Sequence, residues 1–568
     1  MFDQMWNRLA AQVGGWHAAR QLRHFGKAAA NCRGTQLRVL REKLADGALS
    51  QFGRKHQLCR LHDAAEFRRT LPLARYEDFT PYIEQVKAGE NEALFSPGTA
   101  VRMFALTSGT TDQPKYIPVT DTFAAQYQRG WNIWGLSALL DHRDAWLRQI
   151  VQIGSAAREY DTDGGIPCGA ISGALVDRQK RIVRKMYVVP PEVFGISDAV
   201  SRYYTILRLA LSRDVSWMTT ANPSSLVALA RCGDEHSESL IRDISDGTLS
   251  PPGSIESAVR NSTTPRFSKE PLAAKRLASI RDHRGGRFLP RDYFKLSFLA
   301  HWTGGTLGLY LRDLTDYYGP TPSRDIGLLA SEGRVTIPMQ DGSSAGVLDV
   351  TSHFFEFIPE LDDEKEQPTT LLAHELALSG KYFVVMTTSA GLYRYRLGDL
   401  VEVVGMEGTT PVLKFLSKGA HTSSLTGEKL TEHQAVAAVR RVAEQKQLPL
   451  KEFVMAPSWG SPPFYRLHVE APDLCALGPE GLAGAVDQEL RTINIEYACK
   501  RDSGRLGCLR VNPLQHGFFE EYDARQLAQQ GGRSAQYKHK YLLTSVGGDD
   551  QFQDRNNSPK AAKAQGRR

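Results

Sequence analysis

Apolar positions recur at helical spacing in the first hundred residues. Leu37, Leu40 and Leu44 lie three and four apart behind Thr35, which the pattern predicts as a helix cap. The apolar run 101–105 reads as a short strand, and it leads into a loop dense in Ser, Thr and Gly. Past the loop, Asp121 is placed to cap a helix with Phe123, Tyr127, Trp131 and Trp134 on one face, a stripe of the kind that fills a core. The middle of the chain alternates, with Ser197 opening a predicted helix through Leu211 before the apolar run 215–218. Such alternation predicts a partly parallel sheet covered by helices. From Gly346 to Leu416 the β-rich runs 354–358, 382–388 and 412–416 predict antiparallel strands.

Beyond Gly419 the pattern changes again, to a helix from about Thr431, strands near Phe453 and Tyr465, a helix near Asp487 and a last strand over 518–522. This reads as a small, self-contained α+β unit. A chain of 568 residues is too long for one core. The expected organisation is therefore α/β, with a large N-terminal domain over 1–418 built of mixed sheets and a strand-rich part. A small mobile C-terminal α+β domain follows over 419–545, then a tail over 546–568 that is expected to be disordered. No internal repeat stands out.

Composition narrows the function classes. Hydrophobic residues at 41% and charged residues at 23% exclude a fibrous or largely disordered protein. The net charge of +7 comes from 70 Lys plus Arg set against 63 Asp plus Glu, spread along the chain without a basic, aromatic-laced face, so no nucleic-acid partner is expected. No apolar run reaches the ~18 residues of a membrane span. Seven cysteines without paired spacing argue against a disulfide framework and a zinc site. Together with a start unlike a signal peptide, this predicts a cytoplasmic protein.

Three segments carry candidate chemistry. The first is Phe104-Ala-Leu-Thr107-Ser108-Gly109-Thr110-Thr111-Asp112-Gln113-Pro114-Lys115. Its hydroxyls, backbone N–H groups and lysine suit a polyphosphate. It is not a Walker A loop, because Pro114 replaces the second glycine and Tyr116 follows the lysine. A Ser/Thr-rich surface turn is the competing reading. The second, Ala330-Ser331-Glu332-Gly333, follows the apolar run 326–329 and so belongs at a strand end, where a carboxylate can hold magnesium against phosphates. The alternative is an exposed turn. The third, Tyr393-Arg394-Tyr395-Arg396-Leu397-Gly398-Asp399, offers an Asp beyond a strand end to ribose hydroxyls. Its alternative is a hairpin turn at Gly398 and Asp399 with Arg394 and Arg396 as solvated strand partners.

In this order and separation the three segments resemble the signature motifs of the acyl-adenylate-forming superfamily. Within it they are most similar to the acyl-acid amido synthetases of the Gretchen Hagen family, and to its bacterial branch. Further resemblance lies in Trp302-Thr-Gly-Gly-Thr-Leu-Gly-Leu-Tyr310-Leu, Phe354-Phe355-Glu356-Phe357-Ile358-Pro359, Leu425-Thr-Gly427-Glu428-Lys429 and Gln536-Tyr537-Lys538. The resemblance implies a phosphate loop of Thr107, Ser108, Gly109, Thr110, Thr111 and Lys115. It implies a nucleotide and magnesium site at Ala330, Ser331 and Glu332, with Glu332 the metal ligand, and a nucleotide contact at Tyr395, Arg396 and Asp399, with Asp399 on the ribose. Lys429 and Lys538, in the small domain, would act with Glu332 on the phosphates or the acyl-adenylate when that domain swings in. Some positions depart from the family pattern: Asp112 replaces a glycine, Leu328 or Leu329 stands where plant members place an adenine-packing aromatic, and His539-Lys540 replaces Pro-Arg after Lys538.

The implied activity uses ATP and magnesium to adenylate a carboxylic acid, then transfers the acyl group to an amine, in the first instance an amino acid. Two alternatives stand beside it: an adenylating acyl-CoA ligase, and a catalytically inactive nucleotide-binding regulatory protein. Which acid and amine are used, and the oligomeric state, are not readable from the residues.

Overall fold

The computed structural model describes residues 2–107, 115–154, 158–171, 181–304, 311–363, 365–419, 422–423, 425–426, 428, 430–502, 506–529 and 539–553. These fall into two compact units, one up to Phe415 and one from Leu416 onward. Among the described residues no helix is long and apolar enough to cross a membrane.

The first unit opens with helices α1 (Phe2–Ala30) and α2 (Cys32–Gly47), then α3 (Tyr76–Lys87). Leu40 and Leu44 of α2 are buried as their spacing predicts, but the cap is Asn31, whose side chain accepts from the Gly34 N–H. Thr35 instead lies inside the helix and donates to the Ala28 carbonyl. Smaller, one-residue displacements occur twice more. Helix α4 (Asp121–Asp141) is capped by Thr120, and α5 (Ala199–Ala210) by Asp198. In each case the capping oxygen reaches the N–H three residues on, as capping geometry requires.

Strands β1 (Val101–Thr107) and β2 (Lys115–Thr120) pair antiparallel, with Thr107 opposite Lys115. A parallel sheet follows the order of the chain: β3 (Gln149–Ile153), β4 (Val215–Thr220), β5 (Phe298–His301) and β6 (Ser323–Asp325). From Ser201 to Ala210, helix α5 is buried against this sheet's core. Leaving β6, the chain makes a short hairpin of β7 (Leu329–Ala330) and β8 (Gly333–Arg334).

The strand-rich part is a seven-stranded sheet formed by β9 (Thr336–Ile337), β10 (Ala345–Leu348), β11 (Phe354–Pro359), β12 (Leu371–Leu372), β13 (Lys381–Thr387), β14 (Tyr395–Glu407) and β15 (Thr410–Lys418), in the spatial order β9-β10-β15-β14-β13-β11-β12. The antiparallel pairing predicted for this stretch is present in the pairs β10–β15, β11–β13 and β13–β14.

In the second unit, helix α6 (Glu432–Lys446) starts at Thr431 through a capping box with Gln434. Strands β16 (Phe453–Ser458), β17 (Phe464–Glu470) and β18 (Arg510–Leu514) form one sheet beside α7 (Gly478–Ile493). The strand expected over 518–522 is a helix, α8 (Phe518–Gln529). Its aromatics suit a strand, but Phe518, Phe519 and Tyr522 also have helical spacing. Burying Phe519 on Val454, Leu514 and Phe552 decides for the helix.

Candidate active site

The register of β1 and β2 brings Lys115 to the start of its strand, at the C-terminal end of the hydroxyl-rich segment. Nearby, Ala74 docks on the edge of β14 through two backbone hydrogen bonds: its N–H donates to the Arg394 carbonyl at 3.0 Å, and its carbonyl accepts from the Arg396 N–H at 2.8 Å. That docking sets Tyr76, the first residue of α3, beside Tyr395, the first residue of β14. The Tyr76 hydroxyl accepts from the Tyr116 N–H at 2.7 Å, and the Lys115 ammonium lies 5.3 Å from the Tyr76 ring centroid. Lys115 also donates to the Tyr395 hydroxyl at 3.5 Å, and that hydroxyl donates to Glu332 Oε1 at 3.0 Å. Four residues remote in sequence are thus linked in one chain of contacts.

Ser331 and Glu332 are the two turn residues of the β7–β8 hairpin, since Ala330 pairs with Gly333. This is a turn, as one reading of the sequence had it, yet Glu332 is only 6% exposed. Gly333 explains how the turn packs so closely: a Cβ there would lie 2.6 Å from His353 Nε2 and 2.8 Å from Met386 Cε. Burial, reinforced by the charge of Glu332, pushes the Tyr395 hydroxyl well above its ordinary range, and burial raises that of Tyr76 to about 12. Both phenols therefore remain protonated at neutral pH.

Asp399 was expected beyond a strand end; it lies inside β14, 4% exposed. Phe383 faces Leu400 and Val385 faces Arg396, so Val384 alone faces Leu397, Gly398 and Asp399. This bulge, with Gly398 at φ +79°, re-aims the strand without ending it, a device common beside active sites. The alternative of solvated arginines also fails. Arg394 is buried and bonded to Glu356, and Arg396 donates to the Asp363 carbonyl at 2.6 Å and its Oδ1 at 2.5 Å.

The chain that reaches Glu332 leaves the end of the parallel sheet. At the close of β6, Asp325 Oδ2 accepts from the Thr303 N–H at 2.6 Å and from Thr303 Oγ1 at 2.5 Å, while Oδ1 accepts from the Gly327 N–H at 2.6 Å. Burial raises this carboxyl to about 6. Asp325 thereby ties the Trp302-Thr303 stretch after β5 to the chain that leads to Ser331. Ligand crevices of open α/β sheets lie at this carboxyl edge. The sequence reading found neither Asp325 nor Tyr76, for a single Asp and a single Tyr carry no pattern. Ser108, Gly109, Thr110, Thr111, Lys429 and Lys538 lie outside the described residues, as does the side chain of Thr107.

The fold is that of an acyl acid amido synthetase. The structure of the GH3.15 acyl acid amido synthetase matches it with a TM-score of 0.80, covering 92% of this chain and 94% of that chain at 21% identity. The sequence profile described as the GH3 family N-terminal domain matches residues 21–323, the GH3 family central domain residues 346–418, and the GH3 family C-terminal domain residues 433–546. The chain belongs to the GH3, or Gretchen Hagen, family. Similar proteins include a jasmonoyl–L-amino acid synthetase of Oryza sativa subsp. japonica, 28% identical over 84% of this chain and 86% of the relative. A probable indole-3-acetic acid-amido synthetase of the same plant is 25% identical over 90% of this chain and 91% of its own length.

Proposed function

We propose that this protein is an ATP-dependent ligase that adenylates a carboxylic acid and passes the acyl group to an amine, the amino group of an amino acid in the first instance. The observation that carries the reading is the contact chain from Lys115 through Tyr395 to Glu332. It joins one residue from each of the three sequence segments. A buried carboxylate beside a lysine at the foot of a hydroxyl-rich segment suits a nucleotide polyphosphate.

In this reading Thr107, Ser108, Gly109, Thr110, Thr111 and Lys115 receive the phosphates, Ala330 and Ser331 border the nucleotide, and Asp399, with Tyr395 and Arg396 near it, faces the ribose. Among the described residues no three His, Cys, Asp or Glu side chains cluster as a self-sufficient metal cage. One carboxylate still fits magnesium, which is usually held by one or two carboxylates together with substrate phosphates, so Glu332 would hold it. Bound there, the ion would neutralise phosphate charge.

Lys115 offsets charge on the departing pyrophosphate while the site holds the acid in line with the α-phosphorus. Lys429 and Lys538, from a C-terminal domain over 419–545, complete the site in turn for the two half-reactions. The overall likeness of the motifs points to the bacterial branch, and the cysteine usage supports a cytoplasmic setting. A pyrophosphate-release assay over a panel of acids, with and without amino acids, tests the proposal, and mass spectrometry separates amide from thioester products. Release with an acid and amide with an amino acid are expected; folded protein that releases none with any acid would sink the reading.

A further inference from the structure

We infer that Tyr76 and Tyr395 are positioning residues that hold Lys115 and Glu332 as a preformed cation–carboxylate pair. The inference rests on the nucleotide reading above and assigns to two aromatic side chains a task that neither motif spacing nor composition indicates.

The geometry is specific. Lys115 sits at a strand start, where its long, flexible side chain has many rotamers. Two fixed groups restrict it. The Tyr76 ring lies 5.3 Å from the ammonium, within the range in which a cation is attracted to an aromatic face. The Tyr395 hydroxyl accepts from the same ammonium at 3.5 Å. Each tyrosine is itself anchored. The Tyr76 hydroxyl is engaged by the Tyr116 N–H, the amide directly after Lys115, so ring and lysine backbone move together. Tyr395 is 2% exposed, and its one proton goes to Glu332 Oε1.

The two tyrosines have different tasks. A phenol that accepts from Lys115 and donates to Glu332 keeps the opposite charges joined through one oxygen. Without it the carboxylate would be free to rotate out of the orientation in which it would hold a metal ion against the phosphates. Tyr395 thus acts through Glu332, on the orientation that matters while charge moves during adenylation. Tyr76 acts through Lys115, before chemistry, on how well the triphosphate is received. The two removals should therefore separate kinetically.

The test uses the full-length protein and an acid that supports pyrophosphate release. Tyr395→Phe, which keeps the ring and its packing, should lower kcat at least about tenfold with KM for ATP within about threefold. Tyr76→Leu should raise KM for ATP about tenfold, and Tyr76→Phe, which keeps the ring, should stay within about threefold of wild type. Calorimetric titration with a non-hydrolysable ATP analogue supplies a readout independent of turnover. Tyr76→Leu should weaken binding about tenfold, clearly more than Tyr395→Phe does. Wild-type kcat in Tyr395→Phe, or wild-type analogue affinity in folded Tyr76→Leu, overturns the inference. Should Tyr76→Leu fail to fold, the isosteric Tyr395→Phe decides alone. If the wild-type protein releases pyrophosphate with no acid but binds the analogue, the enzymatic reading falls, and the titration arm still decides the role of Tyr76.

Discussion

Arg394 places a guanidinium where water does not reach, in a backbone conformation with φ +50° that non-glycine residues rarely adopt. All five of its N–H groups find acceptors: Glu356 Oε2 and Oε1 at 3.0 and 2.9 Å, Thr370 Oγ1 at 3.3 Å, and the carbonyls of Arg68 and Leu71 at 3.0 and 2.5 Å. The pair thus ties the segment leading to Tyr76 onto β11 and β14. Glu356→Gln would leave a buried cation without its counter-charge, and a loss of about 3–5 kcal/mol in urea unfolding is expected. Gly130 shows the same sensitivity in packing. A Cβ there would meet Arg334 Cδ at 2.4 Å and Asp349 Oδ2 at 3.0 Å, and the Arg334 guanidinium lies 4.5 Å from the Trp131 ring centroid. Gly130→Ala should cost about 1–3 kcal/mol in the same measurement, because Arg334 is buried and has little room to retreat.

At the scale of elements, the helices and strands of the large unit were legible because long apolar periods overrule local detail, whereas their caps were each misplaced by one to four positions. Asn31, Thr120 and Asp198 compete with Thr35, Asp121 and Ser197, all residue types able to cap, and only backbone geometry chooses between them. The bulge at Gly398 was read as a possible turn because glycine before Asp suits either; a partner strand decides, and the sequence does not name its register. In the second unit a different contact holds the chain end. Asp549 Oδ2 accepts from Arg466 Nη1 at 2.7 Å and from His468 Nε2 at 3.1 Å, the tautomer set by Asn512 Nδ2 donating to His468 Nδ1 at 2.9 Å. Burial opposes ionisation of Asp549, but the hydrogen bonds from His468 and Arg466 outweigh it and hold the carboxyl at about 2, below the 3.8 of the free group. The folded-state value is depressed, so its stabilisation is fully present above pH ~4 and is lost as pH falls toward 2, a contribution of about 2 kcal/mol. Urea unfolding at pH 7 and pH 3 should show about half of that loss, and Asp549→Asn should be less stable at pH 7 with a flatter pH dependence.

For the whole molecule, the order of three short motifs implied a shared site, and the structure joins one residue of each. Tyr395 contacts both Lys115 and Glu332, although 280 and 63 residues separate it from them in the chain. Tyr76 and Asp325 escaped notice because their meaning comes from what the fold sets beside them. The proposed function assigns further chemistry to a small C-terminal domain over 419–545. Glu428, the neighbour of Lys429, is buried and accepts from the Leu425 and Thr426 N–H groups at 2.6 and 2.7 Å and from the Tyr465 hydroxyl at 2.5 Å. A carboxylate so fully used organises the turn just ahead of Lys429 and has no capacity left to act as a base. In the proposed mechanism the lysine beside it carries charge to the substrate. If Lys429 acts only once its domain engages a loaded site, Lys429→Ala should bind a non-hydrolysable ATP analogue with wild-type affinity while amide formation falls at least about tenfold. Calorimetry and product analysis by mass spectrometry on the same preparation check both halves. Unchanged amide formation would remove this lysine from the mechanism, and weakened analogue binding would assign it to the resting nucleotide site instead.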